Sequence, residues 1–214
     1  MQALLDSMLM LVFVLDIYAL GTSRLDAMIR TVAIQGVLLG AGPVLAHGHV
    51  SATGVLVGLA TLAIKGFAIP TMLLRSIREV EIRREVEPLV SLGVCMLLGG
   101  LAAASALVFT SDLTLSPGRE SRLIIPASLT TLVTGFILLT TRLKAVTQVV
   151  GYLVLENGVF IFGLLLIESV PFLVEAGVLL DLVVGIFVMG IVLNHIQREF
   201  SSLDTRDFST LREG

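Results

Sequence analysis

Apolar residues dominate this chain in seven long runs that are separated by short polar connections. A helix that crosses a bilayer needs about 20 mostly apolar residues, and each run is close to that length or exceeds it. The pattern therefore predicts an all-α integral membrane bundle of seven transmembrane helices. The predicted spans cover residues 4–20, 27–46, 52–77, 88–110, 123–141, 147–167 and 172–196, and a polar tail follows them.

The composition agrees with a membrane protein. Apolar residues make up 56% of the chain and charged residues 14%, with a mean hydropathy of +1.00, whereas a soluble domain averages about 45–50% apolar and about 25% charged residues. The net charge of −3 offers no basic surface for nucleic acid. The first run carries Asp6 where a cleavable signal would have a basic residue, so we interpret it as a retained span.

Basic residues are unevenly distributed between the two sides that a seven-span topology creates. Lys and Arg stay on the cytoplasmic side of a membrane protein, so the distribution predicts an outside N-terminus and a cytoplasmic C-terminus. The sparse side holds only Arg119 and Arg122. The rich side holds Arg24, Arg30, Arg75, Arg78, Arg83, Arg84, Arg142, Lys144, Arg198, Arg206 and Arg212.

Two consecutive runs carry an acid near their middle, Glu156 in the sixth and Asp181 in the seventh. A charge at that depth costs about 2.5–3.5 kcal/mol on insertion scales. Counted along their helices, both acids lie roughly 14 Å deep in a hydrocarbon core about 30 Å thick. The two spans are antiparallel neighbours, so the acids can approach each other or flank a water cavity. This arrangement predicts a proton relay; the alternative is a pair of neutral acids hydrogen-bonded between helices.

Lys65 is a third ionisable residue inside a predicted span, and Pro70 follows it. A buried lysine can act as a switchable proton site, or it can be a static counter-ion to an acid. Pro70 frees a backbone carbonyl group and should kink or loosen the helix.

Other polar residues lie nearer the predicted span ends. Asp16 and Glu175 either join the relay or reach the membrane interface, and His195 marks either the interface or a proton exit. His47 and His49 form an HxH pair without a further nearby ligand, so we expect no metal site.

Two groups of small residues leave alternatives open. The fifth-span threonines line a wet path or donate back to their own helix, and they are Thr130, Thr131, Thr134, Thr140 and Thr141. The span glycines, which include Gly36, Gly40 and Gly58, let helices approach closely within this bundle or against a partner. No phosphate loop, nucleophile triad, haem pair or metal cluster is recognisable in the sequence, so we expect no cofactor and no catalytic centre in this chain.

The last three spans resemble the K subunit of bacterial respiratory complex I. One span leads into LKAVTQVVGYLVLENGVF, which contains Glu156, and the next contains VLLDLVVGIFVMGIVLNHI with Asp181, before a tail that ends LDTRDFSTLREG. In that family two successive helices carry one buried Glu each. Glu156 matches the first, whereas Asp181 stands in the place of the second with a side chain one methylene shorter.

The whole chain, with four additional N-terminal spans, resembles the E subunit of hydrogenase-4 and related formate hydrogenlyase complexes. The resemblance divides it into a four-helix part at residues 1–110 and a K-like three-helix part with the polar tail at residues 111–214. It implies a non-catalytic subunit in the inner membrane of a prokaryote, located between antiporter-like subunits and the subunit nearest the hydrogenase. Such a subunit passes protons along a midplane line of buried ions. Lys65 has no counterpart in the three-helix K subunit.

A structural scaffold is the main alternative function, with the acids neutral and the chain bridging its neighbours. A freestanding secondary transporter is less well supported, because the sequence shows no inverted repeat.

Overall fold

The computed structural model of the protein describes residues 2–46, 52–79, 89–111 and 122–165, together with Gly190. All regular secondary structure in these ranges is helical. The α-helices are α1 (Gln2–Gly21), α2 (Leu25–Ala46), α3 (Ala52–Thr61), α4 (Ile69–Glu79), α5 (Leu92–Ser111), α6 (Ile124–Thr141) and α7 (Ala145–Gly163), and a π-helical segment, Leu62–Ala68, joins α3 to α4.

Six helices in the described part are long and apolar enough to cross a membrane. They are Gln2–Gly21, Leu25–Leu45, Gly54–Arg75, Leu92–Ser111, Ile124–Thr141 and Val146–Gly163, and they confirm the helical, multi-pass character of the first six predicted runs. A helix suits these apolar stretches because it satisfies every backbone polar group internally. The predicted seventh span, residues 172–196, lies outside the described residues.

Glycines allow α2 to pack closely against the third span. A Cβ atom on Gly36 would lie 2.6 Å from the carbonyl carbon of Lys65. Further along α2, Gly40 and Gly58 are so close that each would place a Cβ atom against the other's backbone oxygen. As the residue number rises on α2 it falls on the third span, so the two helices are antiparallel.

Helices α6 and α7 pack very closely against each other. A Cβ atom on Gly158 would lie 2.7 Å from the backbone nitrogen of Leu132, and one on Gly135 would lie 2.6 Å from the Cα atom of Leu155. The absence of a side chain at these positions therefore sets the spacing of the pair. Gly36, Gly40 and Gly58 likewise serve packing within the bundle, which was one of the two alternatives that the sequence left open for them.

The described helices alternate in direction and bring their basic residues to one end. Helix α1 ends where α2 begins, and α6 ends where α7 begins, with only three residues in each connection. We call this end the basic end, and it is defined by Arg24, Arg30, Arg75, Arg142 and Lys144.

Buried apolar side chains form two separate clusters along the bundle. The first lies toward the basic end and contains Ala19, Leu20, Leu25, Met28, Ile29, Val32, Ile69, Leu73, Cys95, Ile137, Leu138, Val146, Val150, Leu153 and Val154. The second lies toward the opposite end and contains Leu5, Met8, Leu9, Val12, Leu39, Ile124, Ala127, Phe160, Ile161 and Leu164. The interval between the clusters is where the buried polar residues lie.

Candidate functional site

A layer of buried polar side chains separates the two apolar clusters. On α1, α2, α6 and α7 the polar position falls between residues of the two clusters, as Asp16 does between Val12 and Ala19 on α1. The members of this polar layer are Asp16, Gln35, Lys65, Thr131, Thr134, Glu156 and Asn157, and each exposes 7% or less of its surface. A polar layer at this depth is costly in a membrane protein, so its members are expected to be bonded to one another or to water.

Lys65 and Glu156 form an ion pair inside the polar layer. The Nζ atom of Lys65 lies 3.1 Å from Oε1 of Glu156, and the two side chains are 8% and 4% exposed. The ammonium group also lies 5.3 Å from the centre of the Phe160 ring, one turn further along α7, where a cation is attracted by the face of the ring. Glu156 therefore has a charged partner among the described residues that the sequence did not assign to it.

The π-helical segment carries Lys65 to this position. The backbone N–H of Ile69 donates to the carbonyl oxygen of Ile64, five residues earlier, rather than four as in an α-helix. Pro70 follows directly and has no N–H to continue the α-helical ladder. A π-turn inserts one extra residue into a helix and is often found at functional sites. The loosening predicted from Pro70 thus takes the form of a wider turn around Lys65.

Gly36 is the reason why this wider turn can lie against α2. Its missing side chain leaves room for the Lys65 backbone, which a Cβ atom would contact at 2.6 Å. The next residue toward the N-terminus is Gln35, which is fully buried. The close approach therefore brings the Lys65 backbone to the sequence neighbour of Gln35, and Gln35 bonds to both Asp16 and Asn157.

A second set of contacts joins α1, α2, α6 and α7 through Asp16. The Nε2 group of Gln35 donates to Asp16 Oδ1 at 2.8 Å, and the Thr131 hydroxyl donates to Asp16 Oδ2 at 2.7 Å. The Nδ2 group of Asn157 donates to Gln35 Oε1 at 3.3 Å. Both carboxyl oxygens of Asp16 thus accept a hydrogen bond, and its side chain is buried between helices instead of reaching an interface.

The two sets of contacts meet on α7, where Glu156 and Asn157 are consecutive residues. One series of hydrogen bonds runs from Thr131 through Asp16 and Gln35 to Asn157, and the Lys65–Glu156 ion pair adjoins it at the next residue of α7. Hydrogen-bonded series of this kind polarise one another when they are shielded from water. A change of charge at Asp16 therefore polarises Gln35 and Asn157, which lies beside Glu156 in the sequence.

The α6 threonines divide between the two roles that the sequence left open. Thr130, Thr140 and Thr141 donate to backbone carbonyls of their own helix at 2.7, 2.8 and 2.6 Å. Thr131 instead bonds to Asp16. The Thr134 hydroxyl is buried and has no hydrogen-bond partner within the described ranges.

Arg142 is buried at the basic end of the bundle. It is 1% exposed, and one guanidinium nitrogen donates to the Leu20 carbonyl oxygen at 3.2 Å. The Gln148 side chain donates to the Arg142 carbonyl oxygen at 3.0 Å. The guanidinium therefore lies one turn along α1 from Asp16, on the side of the basic end.

Three of the predicted site residues are described, and three are not. Glu156, Lys65 and Asp16 meet in the polar layer. Asp181, Glu175 and His195 lie outside the described residues, as do His47 and His49.

Sequence reasoning missed the two amides of the layer, Gln35 and Asn157. The available signal was the same one that identified Glu156: a strongly polar side chain near the middle of an apolar span.

Comparison with known proteins finds a relative along most of the chain. A Mycobacterium tuberculosis (strain ATCC 25618 / H37Rv) protein described as "Uncharacterized protein Rv0085" is 31% identical over 192 residues, which are 88% of this chain and 87% of the relative. No model of a known protein family and no solved structure matches the chain.

Proposed function

The chain belongs to the same family as the mycobacterial protein Rv0085, and we propose that it is a non-catalytic membrane subunit of a redox-driven, proton-translocating complex. The complex would be a membrane-bound hydrogenase related to respiratory complex I. Within it this chain relays protons through buried acids and a lysine near the middle of the membrane. The proposal extends the resemblance of the sequence to hydrogenase-4 and complex I subunits.

The observation that supports this function best is the buried ion pair of Lys65 and Glu156, 3.1 Å apart. Each charge costs about 2.5–3.5 kcal/mol at the centre of a membrane helix. Packing alone does not require such a pair, since a buried ion pair is often no more stabilising than apolar residues of similar volume. A proton relay, in contrast, requires groups that can exchange a proton, and an ammonium–carboxylate pair becomes neutral when one proton moves between its members.

The relay works by moving that proton in response to charge elsewhere in the complex. When Lys65 gives a proton to Glu156, the ammonium and carboxylate become an amine and a carboxylic acid. A charge arriving beside the layer favours one of these two states over the other. Asp181, on the predicted seventh span, is the second acid that we propose exchanges protons with Glu156. One charge moved across the full membrane corresponds to about 2.3 kcal/mol per 100 mV.

We further propose that the basic end faces the cytoplasm. Among the described residues only Arg122 lies at the opposite end, against the five basic residues that define the basic end. By the positive-inside rule this supports an outside N-terminus. With the predicted seventh span, the C-terminus is cytoplasmic, and the location is the inner (plasma) membrane of a prokaryote.

The partners that we propose are antiporter-like subunits and the subunit nearest the hydrogenase, in contact with this chain inside the lipid bilayer. Redox cofactors would belong to other subunits. Purifying the native complex from the source membrane and identifying its chains tests this assignment. A nickel–iron hydrogenase large subunit among them is the expected result, and a preparation that contains this chain alone would contradict it.

Proton translocation by the assembled complex tests the role of the ion pair. We expect Glu156→Gln to abolish or strongly reduce proton uptake into inverted membrane vesicles, measured per amount of complex that assembles. Asp26→Asn is the matched control, because Asp26 pairs with the exposed Arg24 at 3.3 Å, outside the polar layer. Normal pumping by an assembled Glu156→Gln complex would refute the relay.

A structural scaffold is the second candidate, and the exposure of α5 favours it. This helix is the least buried of the six spans, and Gly100 has nothing within 4 Å of the position of a Cβ atom. A photo-activated cross-linker at the exposed Leu101 would join a neighbouring subunit if α5 is a bridging surface. If the chain is only a scaffold, Glu156→Gln will leave pumping unchanged.

A further inference from the structure

Among the described residues, Asp16 is a second buried acid, and it is not part of the Lys65–Glu156 ion pair. Its side chain is fully buried, and its two hydrogen-bond donors, Gln35 and Thr131, are both neutral. An acid at this depth is retained when it is paired, reachable by water or used. The Lys65–Glu156 pair does not explain why an acid with only neutral partners is buried here.

The two carboxyl oxygens of Asp16 have different partners. Gln35 presents its N–H to Oδ1 because its carbonyl oxygen is already engaged by Asn157. If Oδ1 carried a proton, the Gln35 side chain would have to exchange the positions of its N–H and carbonyl groups in order to accept that proton, and its bond to Asn157 would be lost. The Thr131 hydroxyl at Oδ2 can donate or accept, so a proton on Oδ2 requires only that the hydroxyl rotate. Proton gain and loss at Asp16 is therefore easiest at Oδ2.

Thr134 continues this side of Asp16 toward the basic end. It lies three residues beyond Thr131, on the same face of α6, and it is fully buried. Its hydroxyl has no hydrogen-bond partner in the described part of the chain. A buried hydroxyl of this kind is commonly satisfied by an ordered water molecule. A water molecule bonded to this hydroxyl would lie on the side of Asp16 that is nearer the basic end.

We propose that Asp16 is a proton-holding group that exchanges protons through Thr131 with water at Thr134, and whose charge acts on the adjoining Lys65–Glu156 pair by way of Gln35 and Asn157. A proton from that water binds Oδ2 while the Thr131 hydroxyl turns, and the carboxylate becomes a carboxylic acid. Release is the reverse. The transmission rests on the proposed function, whereas the proton exchange does not.

The charged groups around Asp16 fit this role. Across the two amides it faces the Lys65–Glu156 pair, which is neutral as a whole. Along α1 toward the basic end, Arg142 donates to the Leu20 carbonyl oxygen. The Arg142 cation therefore lies on the side of Asp16 that is nearer the basic end.

Infrared spectroscopy of the full chain in lipid nanodiscs tests the exchange directly. We expect a titrating carboxylic-acid C=O band that shifts when aspartate carries a ¹³C carboxyl label and that is lost in Asp16→Asn. In Thr131→Val and Thr134→Val the same band should exchange more slowly with heavy water. Thr130→Val is the matched control, because Thr130 is equally buried on the same helix but donates only to the Pro126 carbonyl oxygen.

Two results would overturn the proposal. One is an Asp16→Asn protein that folds and loses no labelled band at any pH at which it stays folded. The other is exchange in Thr131→Val and Thr134→Val at the same rate as in Thr130→Val. If Asp16→Asn does not fold, the exchange rates of the labelled Thr131→Val and Thr134→Val proteins, compared with Thr130→Val, decide the question. Normal pumping by Glu156→Gln would reject the relay and leave the Asp16 band in place, so the two failures are distinguishable.

Discussion

Lys65 and Glu156 meet with Nζ and Oε1 3.1 Å apart, on two spans that are far apart in the sequence. The lysine comes from a π-helical turn and the glutamate from the middle of α7. Their contact lies between two apolar clusters, so the polar groups interrupt the core at one level. Removing a member of that layer should therefore affect stability and charge at the same place.

Removing one member of the ion pair should strongly destabilise the protein. Lys65→Met leaves Glu156 without its cation, and Glu156→Gln leaves Lys65 without its anion. Breaking a buried pair in this way costs about 3–5 kcal/mol. The double variant removes both charges and should recover part of the loss. Unfolding in mixed micelles with increasing denaturing detergent measures all three variants.

The partly exposed pair of Arg24 and Asp26 is the control for this cycle. Its side chains are 68% and 29% exposed, so Asp26→Asn should cost less than about 1 kcal/mol. A Lys65→Met variant that is no less stable than Asp26→Asn would show that the buried pair contributes nothing to the fold. A double variant less stable than either single variant would contradict the expected recovery.

Sequence patterns predicted the spans more fully than the site. Length and hydropathy are local properties, so the first six runs could be identified directly. The position of Glu156 near the middle of its span followed from counting residues along the helix. That they pair with each other did not follow, because the pairing depends on the extra residue of the π-turn and on the room left by Gly36.

The amides show a different limit. Gln35 and Asn157 are visible in the sequence as polar residues in apolar spans, but an amide gives no charge to draw attention to it. Their importance depends on Asp16, which the sequence placed near an interface as one alternative. Only the packing of α1 between α2 and α6 brings these side chains within hydrogen-bond distance.

Gly36→Ala should disturb the layer by moving the π-turn. The new Cβ atom would lie 2.6 Å from the Lys65 carbonyl carbon, and backbone there cannot move aside as a flexible side chain can. Overpacking of this kind costs about 1–3 kcal/mol. Gly100→Ala is the matched control, since nothing lies within 4 Å of its Cβ position. Equal stability of the two variants would show that the close contact is not required.

Gln35→Leu should destabilise the protein by breaking two hydrogen bonds at once. Asp16 Oδ1 loses its donor and the Asn157 amide loses its acceptor, and each buried group left unsatisfied costs about 1–3 kcal/mol. Asn157→Leu breaks one of the same bonds, so the double variant should lose less than the sum of the single losses. Detergent-induced unfolding measures each loss.

Gln148→Leu is the comparison for the amide variants. Gln148 donates to the Arg142 carbonyl oxygen at the basic end, and its side chain is only partly buried at that bond. Its loss should cost about 0.5–1.5 kcal/mol, the net contribution of an ordinary hydrogen bond. Strictly additive losses in Gln35→Leu and Asn157→Leu would mean that the two amides do not act as one bridge.

Labelling of introduced cysteines should reveal which side of the membrane the basic end faces. The native Cys95 is fully buried, and Cys95→Ser removes any residual reaction. In that background Ser23→Cys lies in the exposed connection at the basic end, and Ser111→Cys lies at the exposed far end of α5. The predominance of basic residues beside Ser23 favours a cytoplasmic location. A maleimide that cannot cross membranes should therefore label Ser111→Cys in intact spheroplasts and label Ser23→Cys only after lysis. The reverse result would invert the proposed topology.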